Sequence, residues 1–216
     1  MPMSADDFIQ VLQQDNDAFF ASLPDSKTVY WPQKLEGLAA AEALKPRWFN
    51  ELRGVEVIGR FIEKVPDLSL KVLVGRQVGD EAKHARVCRR RIEQLGSSVF
   101  DFKPTPAQLR FGDVLDSFMF PEEFFSAQQF TVETQSLRRN EQALERFDPE
   151  TANMFRKHIN PDERFHVRLG RMGLRVFART QAAQDRARRA AEIIRRVHVD
   201  MVTQHVERME AGGWLR

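Results

Sequence analysis

The chain has 216 residues, 30% charged and 42% apolar, with a formal net charge of +2. This is the profile of a soluble globular protein with a substantial core, most economically one domain over 1–216, and the near-neutral balance argues for no strongly acidic partner. A single cysteine, Cys88, excludes intrachain disulfides, cysteine-based zinc or iron–sulfur sites, and an appended rubredoxin-type module, which needs four thiolates. No apolar run approaches the ~20 residues of a membrane span. The amino terminus, with Asp6 and Asp7, lacks the basic-then-apolar order of a secretory signal, so a cytoplasmic protein is expected.

Helical periodicity dominates. Val, Ile and Thr never alternate with polar residues for long, and no Asn-Gly or Asp-Gly hairpin signal occurs, so the expected class is all-α. Residues 5–22 form an amphipathic helix with Phe8, Val11, Leu12 and Phe19 available for one face. A looser stretch with Pro24 and Pro32 and an Ala-rich helical piece follow. The next helix is expected to open at Pro46, a good first-turn residue, and to run to Lys64 before Pro66-Asp67. A helix over 68–95 stops at Gly96, a C-cap residue, and 97–108, with Pro104 and Pro106, is a connector. A third long helix starts near Pro121-Glu122-Glu123, whose charges suit a helix amino terminus, and ends near Phe147. A short helical piece over 149–159 leads into a fourth helix from Asn160-Pro161 to about Ala178. Thr180 to Met209 is a long Arg-rich helix. The organisation expected is a four-helix metal-binding core over 46–178, an N-terminal extension over 1–45 and a C-terminal helix over 180–212.

The informative feature is a repeat. Asp80-Glu81-x-x-His84 recurs as Asp162-Glu163-x-x-His166, 82 residues on, and the same offset maps Glu51 onto Glu133. Glu and His three apart share a helix face, so both side chains can reach one ion. Each upstream glutamate precedes its pattern's Glu by 30 residues, giving two equivalent sets: Glu51, Glu81, His84 and Glu133, Glu163, His166. Four carboxylates and two imidazoles suit a pair of first-row transition metals inside a four-helix bundle, and their hardness suits iron or manganese. Four negative charges balance two divalent ions; without metal the buried carboxylates repel and several take up protons. Asp80 and Asp162 are candidates to accept the free ring N–H of the other half's histidine, the alternative being exposed aspartates. Glu163 has a competing role, because Asn160-Pro161-Asp162-Glu163 also fits a capping box with Glu163 at N3. On the other view Pro161 kinks a helix that began earlier.

The arrangement Glu…Asp-Glu-x-x-His, given twice over 46–178, resembles the ferritin-like di-iron carboxylate superfamily, most of all its oxygen-activating hydroxylases, N-oxygenases and oxidases. The resemblance implies a ferritin-like four-helix bundle with a carboxylate-bridged centre of two Fe ions, held by Glu51, Glu81, His84, Glu133, Glu163 and His166, that reacts with O2. Glu81 and Glu163 fall at the bridging positions. The implied function is a di-iron oxygenase or oxidase acting on a small organic or acyl substrate, with electrons from a separate reductase or from the substrate. The rivals are a ferroxidase or iron-handling protein, a heterodinuclear Mn/Fe oxidase, and a non-enzymatic helical interaction protein. The only tyrosine, Tyr30, lies off the ligand helices, which argues against a tyrosyl-radical role.

Other residues are weighed against plainer roles. Glu56 and Glu141 could replace Glu51 and Glu133 but break the 30-residue spacing. His198 and His205, seven apart, could face together, yet with Arg195, Arg196 and Arg208 nearby a solvated face is expected. His158 is expected at the surface. Asp185 and Glu192 interrupt the Arg186–Arg196 run and aromatics do not interleave, so it is read as a charged surface or homodimer contact rather than a nucleic-acid site. Phe111, Phe118, Phe120, Phe124, Phe125 and Phe130 either line an apolar substrate pocket or are simply core.

Overall fold

The helices start where a short polar side chain can satisfy the free amides of a first turn. Ser4 accepts from Asp7 N, Asp67 from Leu70 N, Thr105 from Gln108 N, Asp148 from Thr151 N and Thr180 from Ala183 N. A computed structural model describes residues 1–23 and 33–215. Pro24, Tyr30 and Pro32 lie outside the described residues. The described chain forms seven helices: α1 Ala5–Ala21, α2 Gly37–Phe61, α3 Leu68–Gln94, α4 Pro106–Ser117, α5 over 121–143, α6 over 149–177 and α7 Gln181–Ala211. Among these residues there is no strand, only an isolated bridge between Leu35 and Phe147. No described helix is long and apolar enough to cross a membrane.

Several boundaries differ from the sequence expectation. Helix α2 begins at Gly37, so Pro46 lies inside it, and residues assigned to the N-terminal extension belong to the core helix. An interior proline forfeits one helical hydrogen bond and crowds the carbonyl four residues earlier, a cost that well-packed flanks can offset; Ala40, Ala41 and Leu44 are buried before it. The expected connector ends in α4, opened by Pro106 and a Thr105–Gln108 capping box. Helices α5 and α6 each contain a π-helical run, Phe125–Val132 and Phe155–Ile159, so 149–177 is one continuous helix rather than two pieces. Gly96 has φ +81° and ends α3 as expected, with Ser97 N donating to Ile92 O at 3.1 Å.

Two apolar clusters form the core. The first holds Val57 and Ile58 of α2, Val74 of α3, Phe125 and Phe130 of α5 and Leu169 of α6. The second holds Leu44 of α2, Cys88 and Ile92 of α3, Ala143 of α5 and Met154, Phe155 and Ile159 of α6. Along each of these helices the chain passes from one cluster to the other, and the direction reverses from α2 to α3 and from α5 to α6. The result is two antiparallel hairpins. At the crossing between clusters each helix presents a polar residue: Glu51, Glu81 with His84, Glu133, and Glu163 with His166.

The remaining helices are not appendages. Helix α7 buries Ala187, Ala190, Ala191 and Ile194 in the first cluster and Met209 in the second. Its helically spaced small and apolar residues are the inner face that the arginines obscured. Arg186 and Arg188 do point outward, pairing with Glu122 and Asp15, but His198 and His205 are buried, at 2% and 4% exposure, contrary to the solvated face expected. The charge of the neighbouring arginines says little about which way the histidines turn.

Helix α6 approaches the π-helical run of α5 so closely that a Cβ at Gly170 would lie 2.7 Å from Phe130 N and 2.8 Å from Gln129 C. These are backbone atoms and cannot rotate aside. Gly170→Ala should lower stability by about 2 kcal/mol, in the range of overpacked cores. Gly75→Ala, on the exposed face of α3 with nothing within 4 Å, should raise it by about 0.5–1 kcal/mol. The urea midpoints of the two variants provide the measurement.

Candidate metal centre

The six repeat residues meet at the junction of the two clusters, and none is more than 4% exposed. They sort into two triads, Glu51, His84 and Glu163 and then Glu81, Glu133 and His166, whose ligand atoms lie within 4.8 Å of one another in each triad. This grouping crosses the sequence halves: Glu81 and Glu163 have changed places relative to the sets defined by spacing. Glu81 reaches both histidines, with Oε2 3.6 Å from His84 Nδ1 and Oε1 3.5 Å from His166 Nδ1. The imidazole centroids are 6.0 Å apart.

Both histidines aim Nδ1 inward. His84 Nδ1 lies 3.4 Å from Glu51 Oε2 and has no hydrogen-bond partner, and His166 Nδ1 lies 3.2 Å from Glu163 Oε2. Both turn Nε2 toward an aspartate of the other half: His84 to Asp162 at 3.1 Å and His166 to Asp80 at 3.5 Å. Lys83 bridges these two aspartates, in a close ion pair with Asp162 and 3.6 Å from Asp80. His84 is thus hydrogen-bonded on its outer nitrogen and unpartnered on its inner one, whereas His166 has its inner nitrogen on Glu163 and its outer nitrogen near Asp80 without a hydrogen bond.

The local backbone explains the aim. Glu81 and His84 lie in regular α-helix, three residues apart on one face. Glu133 follows the π run of α5 directly, and Glu163 follows that of α6 by a few residues. Asn160 is therefore not an N-cap, because the helix is already formed before it. The capping-box alternative for Glu163 falls away, and its carboxylate faces Arg47 and His166 instead.

Sequence reasoning missed the groups that complete the layer. Arg47 makes close ion pairs with both Glu51 and Glu163 and donates to Asn140 Oδ1 at 3.3 Å. Gln77 donates to Glu81 Oε1 at 3.2 Å and Glu133 Oε1 at 3.0 Å, and Gln128 also donates to Glu133 Oε1 at 3.0 Å. The available signal was helical spacing: Arg47 precedes Glu51, and Gln77 precedes Glu81, by four residues. The alternatives Glu56 and Glu141 are exposed and pair with Arg53 and Arg164. His158 is exposed as expected.

Electrostatics divides the carboxylates. Burial pushes Glu51 up, but Arg47 and then His84 outweigh it and hold Glu51 down at about 2. Glu163 is likewise held below the carboxylate range against its burial, by Arg47 and His166. Burial and the neighbouring Glu51 raise Glu81 to about 7, and burial with Glu163 and Glu81 raises Glu133 further. Both histidines stay protonated well above their ordinary value despite burial, through Asp162 and Glu51 for His84 and through Asp80 and Glu163 for His166. The layer is then neutral: anionic Glu51, Glu163, Asp80 and Asp162 face cationic Arg47, Lys83, His84 and His166. Cys88, one turn beyond His84, is pushed up to about 12 by burial and Glu51, which makes it a poor nucleophile.

A cavity of about 110 Å³ opens beside this layer, enough for a small or slender molecule. All four glutamates line it, with Leu44, Val57, Ile58, Phe111, Leu115 and Val132 among its apolar walls. Of the phenylalanine cluster only Phe111 lines it; Phe124, Phe125 and Phe130 are fully buried core, and Phe120 is half exposed against Arg186.

No family model matches the sequence, and no curated protein matches it. Among solved structures, the chain is similar to a TenA homologue from Pyrococcus furiosus, with a TM-score of 0.73 and 13% identity over 92% of this chain and 99% of that one. At that identity the likeness shows the fold alone. It corrects the ferritin-like assignment: the backbone follows the all-α arrangement of the TenA homologue. Ligand spacing fixes which residues share a helix face and leaves open how the helices are arranged around them. The oxidoreductase reading drawn from that resemblance, a di-iron oxygenase or oxidase with ferroxidase or Mn/Fe oxidase as its alternatives, is corrected with it.

Proposed function

We propose that this chain is a metal-dependent enzyme holding two divalent first-row ions, with a small substrate in the adjoining cavity. Glu51, His84 and Glu163 would hold one ion, and Glu81, Glu133 and His166 the other; Glu81 reaches toward both. The carrying observation is the pair of buried triads, in each of which two carboxylates and one imidazole nitrogen converge within 4.8 Å of one another. The oxygen and nitrogen donors suit Fe(II) or Mn(II). Ions so placed supply Lewis-acid polarisation of a bound oxygen atom. Around them this chain excludes water through the two apolar clusters, orients the imidazoles through Asp80 and Asp162, and holds the Glu133 carboxylate through Gln77 and Gln128.

Charge balance supports the fit. Two divalent ions bring four positive charges, and the layer holds four displaceable protons, on His84, His166, Glu81 and Glu133. Exchanging one for the other leaves the layer as neutral as before, with Arg47 and Lys83 still charged. A second reading is favoured by Arg47, whose guanidinium already compensates Glu51 and Glu163: the layer would then be a structural polar network in a non-enzymatic helical protein.

Titration of metal-free protein with Mn(II) or Fe(II) should saturate at two ions per chain, and Glu81→Ala and Glu163→Ala should each take up fewer. Uptake of no ion by folded wild-type protein would leave the structural reading standing. Because ions and protons compete for the same groups, binding should strengthen as pH rises. Calorimetry in buffers of different ionisation enthalpy should find up to four protons released per two ions near pH 6, and fewer above pH 7 as Glu81 loses its proton. Arg47→Met should destabilise metal-free protein by about 3 kcal/mol, as expected for breaking a buried ion pair, with stability recovered on adding the ions. Loss that no metal restores would support the structural role.

A further inference from the structure

Two uncharged side chains on the cavity wall hold buried N–H groups with nothing to donate to. Arg139 on α5 donates from Nη1 to His198 Nε2 on α7 at 3.0 Å. A guanidinium has no lone pair to offer, so Nε2 is the accepting nitrogen and the single proton of the neutral ring sits on Nδ1. Burial first, then Arg139 and Arg47, keep that ring neutral. His198 is 2% exposed, and its Nδ1 is buried without a partner. Asn140, 7% exposed, gives its Oδ1 to Arg47 at 3.3 Å, which fixes the orientation of its amide. Its Nδ2 is likewise buried without a partner. Both residues line the cavity. The guanidiniums on the same wall are engaged: Arg47 with Glu51 and Glu163, Arg53 with Glu56 and two aspartates of α4, and Arg139 with His198. Buried N–H groups are normally satisfied, so two that are not mark a place for an acceptor that arrives from outside. The apolar wall begins where they end, since the Phe111 and His198 ring centroids are 6.0 Å apart.

We propose that the cavity takes a small uncharged carbonyl compound, its oxygen accepting from His198 Nδ1–H and Asn140 Nδ2–H and its apolar body lying along Leu44, Val57, Ile58 and Phe111. A carbonyl oxygen carries two lone pairs, and two neutral donors fill them without adding charge to the cavity. A carboxylate would add a fifth carboxyl group to a space that four glutamates already line. An ammonium head would meet only donors at His198 and Asn140. The limited volume favours a slender body. Gln128 Oε1 is also buried without a donor, but its amide bonds Glu133, so it belongs with the carboxylate layer. The inference rests on the cavity being the substrate site of the metal centre proposed above, yet neither anchoring residue is a candidate metal ligand, so the two readings can fail separately.

The test compares hexan-2-one and hexanamide with 1-chloropentane, hexanoate and hexylammonium, on metal-free and Mn(II)-loaded protein. The better carbonyl compound should bind about tenfold more tightly than the chloroalkane, as for one buried hydrogen-bonding site satisfied rather than left unmet, and more tightly than either ion, in both forms. In metal-free protein labelled with nitrogen-15, the His198 Nδ1–H resonance should shift on adding that compound and stay in place with the chloroalkane. His198→Met removes the N–H while keeping a sulfur for Arg139 to donate to, and should cut the carbonyl advantage to about threefold or less, as when one of two donors is lost. Asn140→Asp keeps an oxygen for Arg47 and removes the other donor; it should do the same and serves if His198→Met does not fold. Equal binding of ketone, amide and chloroalkane, or no binding of any of them, overturns the proposal. Tighter binding of hexanoate than of both neutral compounds overturns it as well. So does a carbonyl advantage confined to the loaded protein and indifferent to both substitutions, since the ions would then be holding the oxygen. Failure to take up ions, with the carbonyl advantage intact in metal-free protein, would overturn the metal reading and leave this one standing.

Discussion

Everything in this fold is arranged around four glutamates that cannot all be charged and buried unless positive charge comes with them. The chain places them in one polar layer where α2, α3, α5 and α6 each cross from one apolar cluster to the other. Isolated carboxylates at such depth would cost several kcal/mol each. Arg47 answers part of that charge through Glu51 and Glu163, the two imidazoles lie beside the carboxylates, and Lys83 pairs with the two aspartates behind the imidazoles.

Much of the layer was legible in the sequence because spacing along a helix determines which side chains share a face. The 82-residue repeat located all six triad residues, and the aspartate before each glutamate is where the opposite half's histidine turns. What was not legible is what depends on a neighbour. The crossing of Glu81 and Glu163 between triads follows from the way two hairpins face each other. The burial of His198 follows from α7 packing against Arg139 of α5 and Phe111 of α4, and no arginine count on α7 reports that. Pro46 and Pro161 suggested helix starts, but buried flanks carry α2 through the first and an existing π run carries α6 past the second.

In this chain two antiparallel helix pairs carry the polar residues midway along their helices. The motif constrains that local geometry, while the positions of α4 and α7 are set by ordinary packing, as where Ala187, Ala190, Ala191 and Ile194 seat α7 in the first cluster. A residue pattern for a site is therefore weak testimony about the scaffold, even where it places the site residues together.

The two π-helical runs break the symmetry that the duplicated sequence preserves. Both lie in the second hairpin, one before Glu133 and one before Glu163, whereas Glu51, Glu81 and His84 stand on ordinary α-helix. A π turn replaces the i→i+4 hydrogen bonds of the α-helix by i→i+5 bonds, and such interruptions of α-helices are frequent at functional sites. Each triad joins the two hairpins: Glu51 and His84 meet Glu163 in one, and Glu81 meets Glu133 and His166 in the other. A motif doubled in the sequence is thus carried by two unlike hairpins, one of unbroken α-helix and one in which both helices are interrupted just before their glutamate.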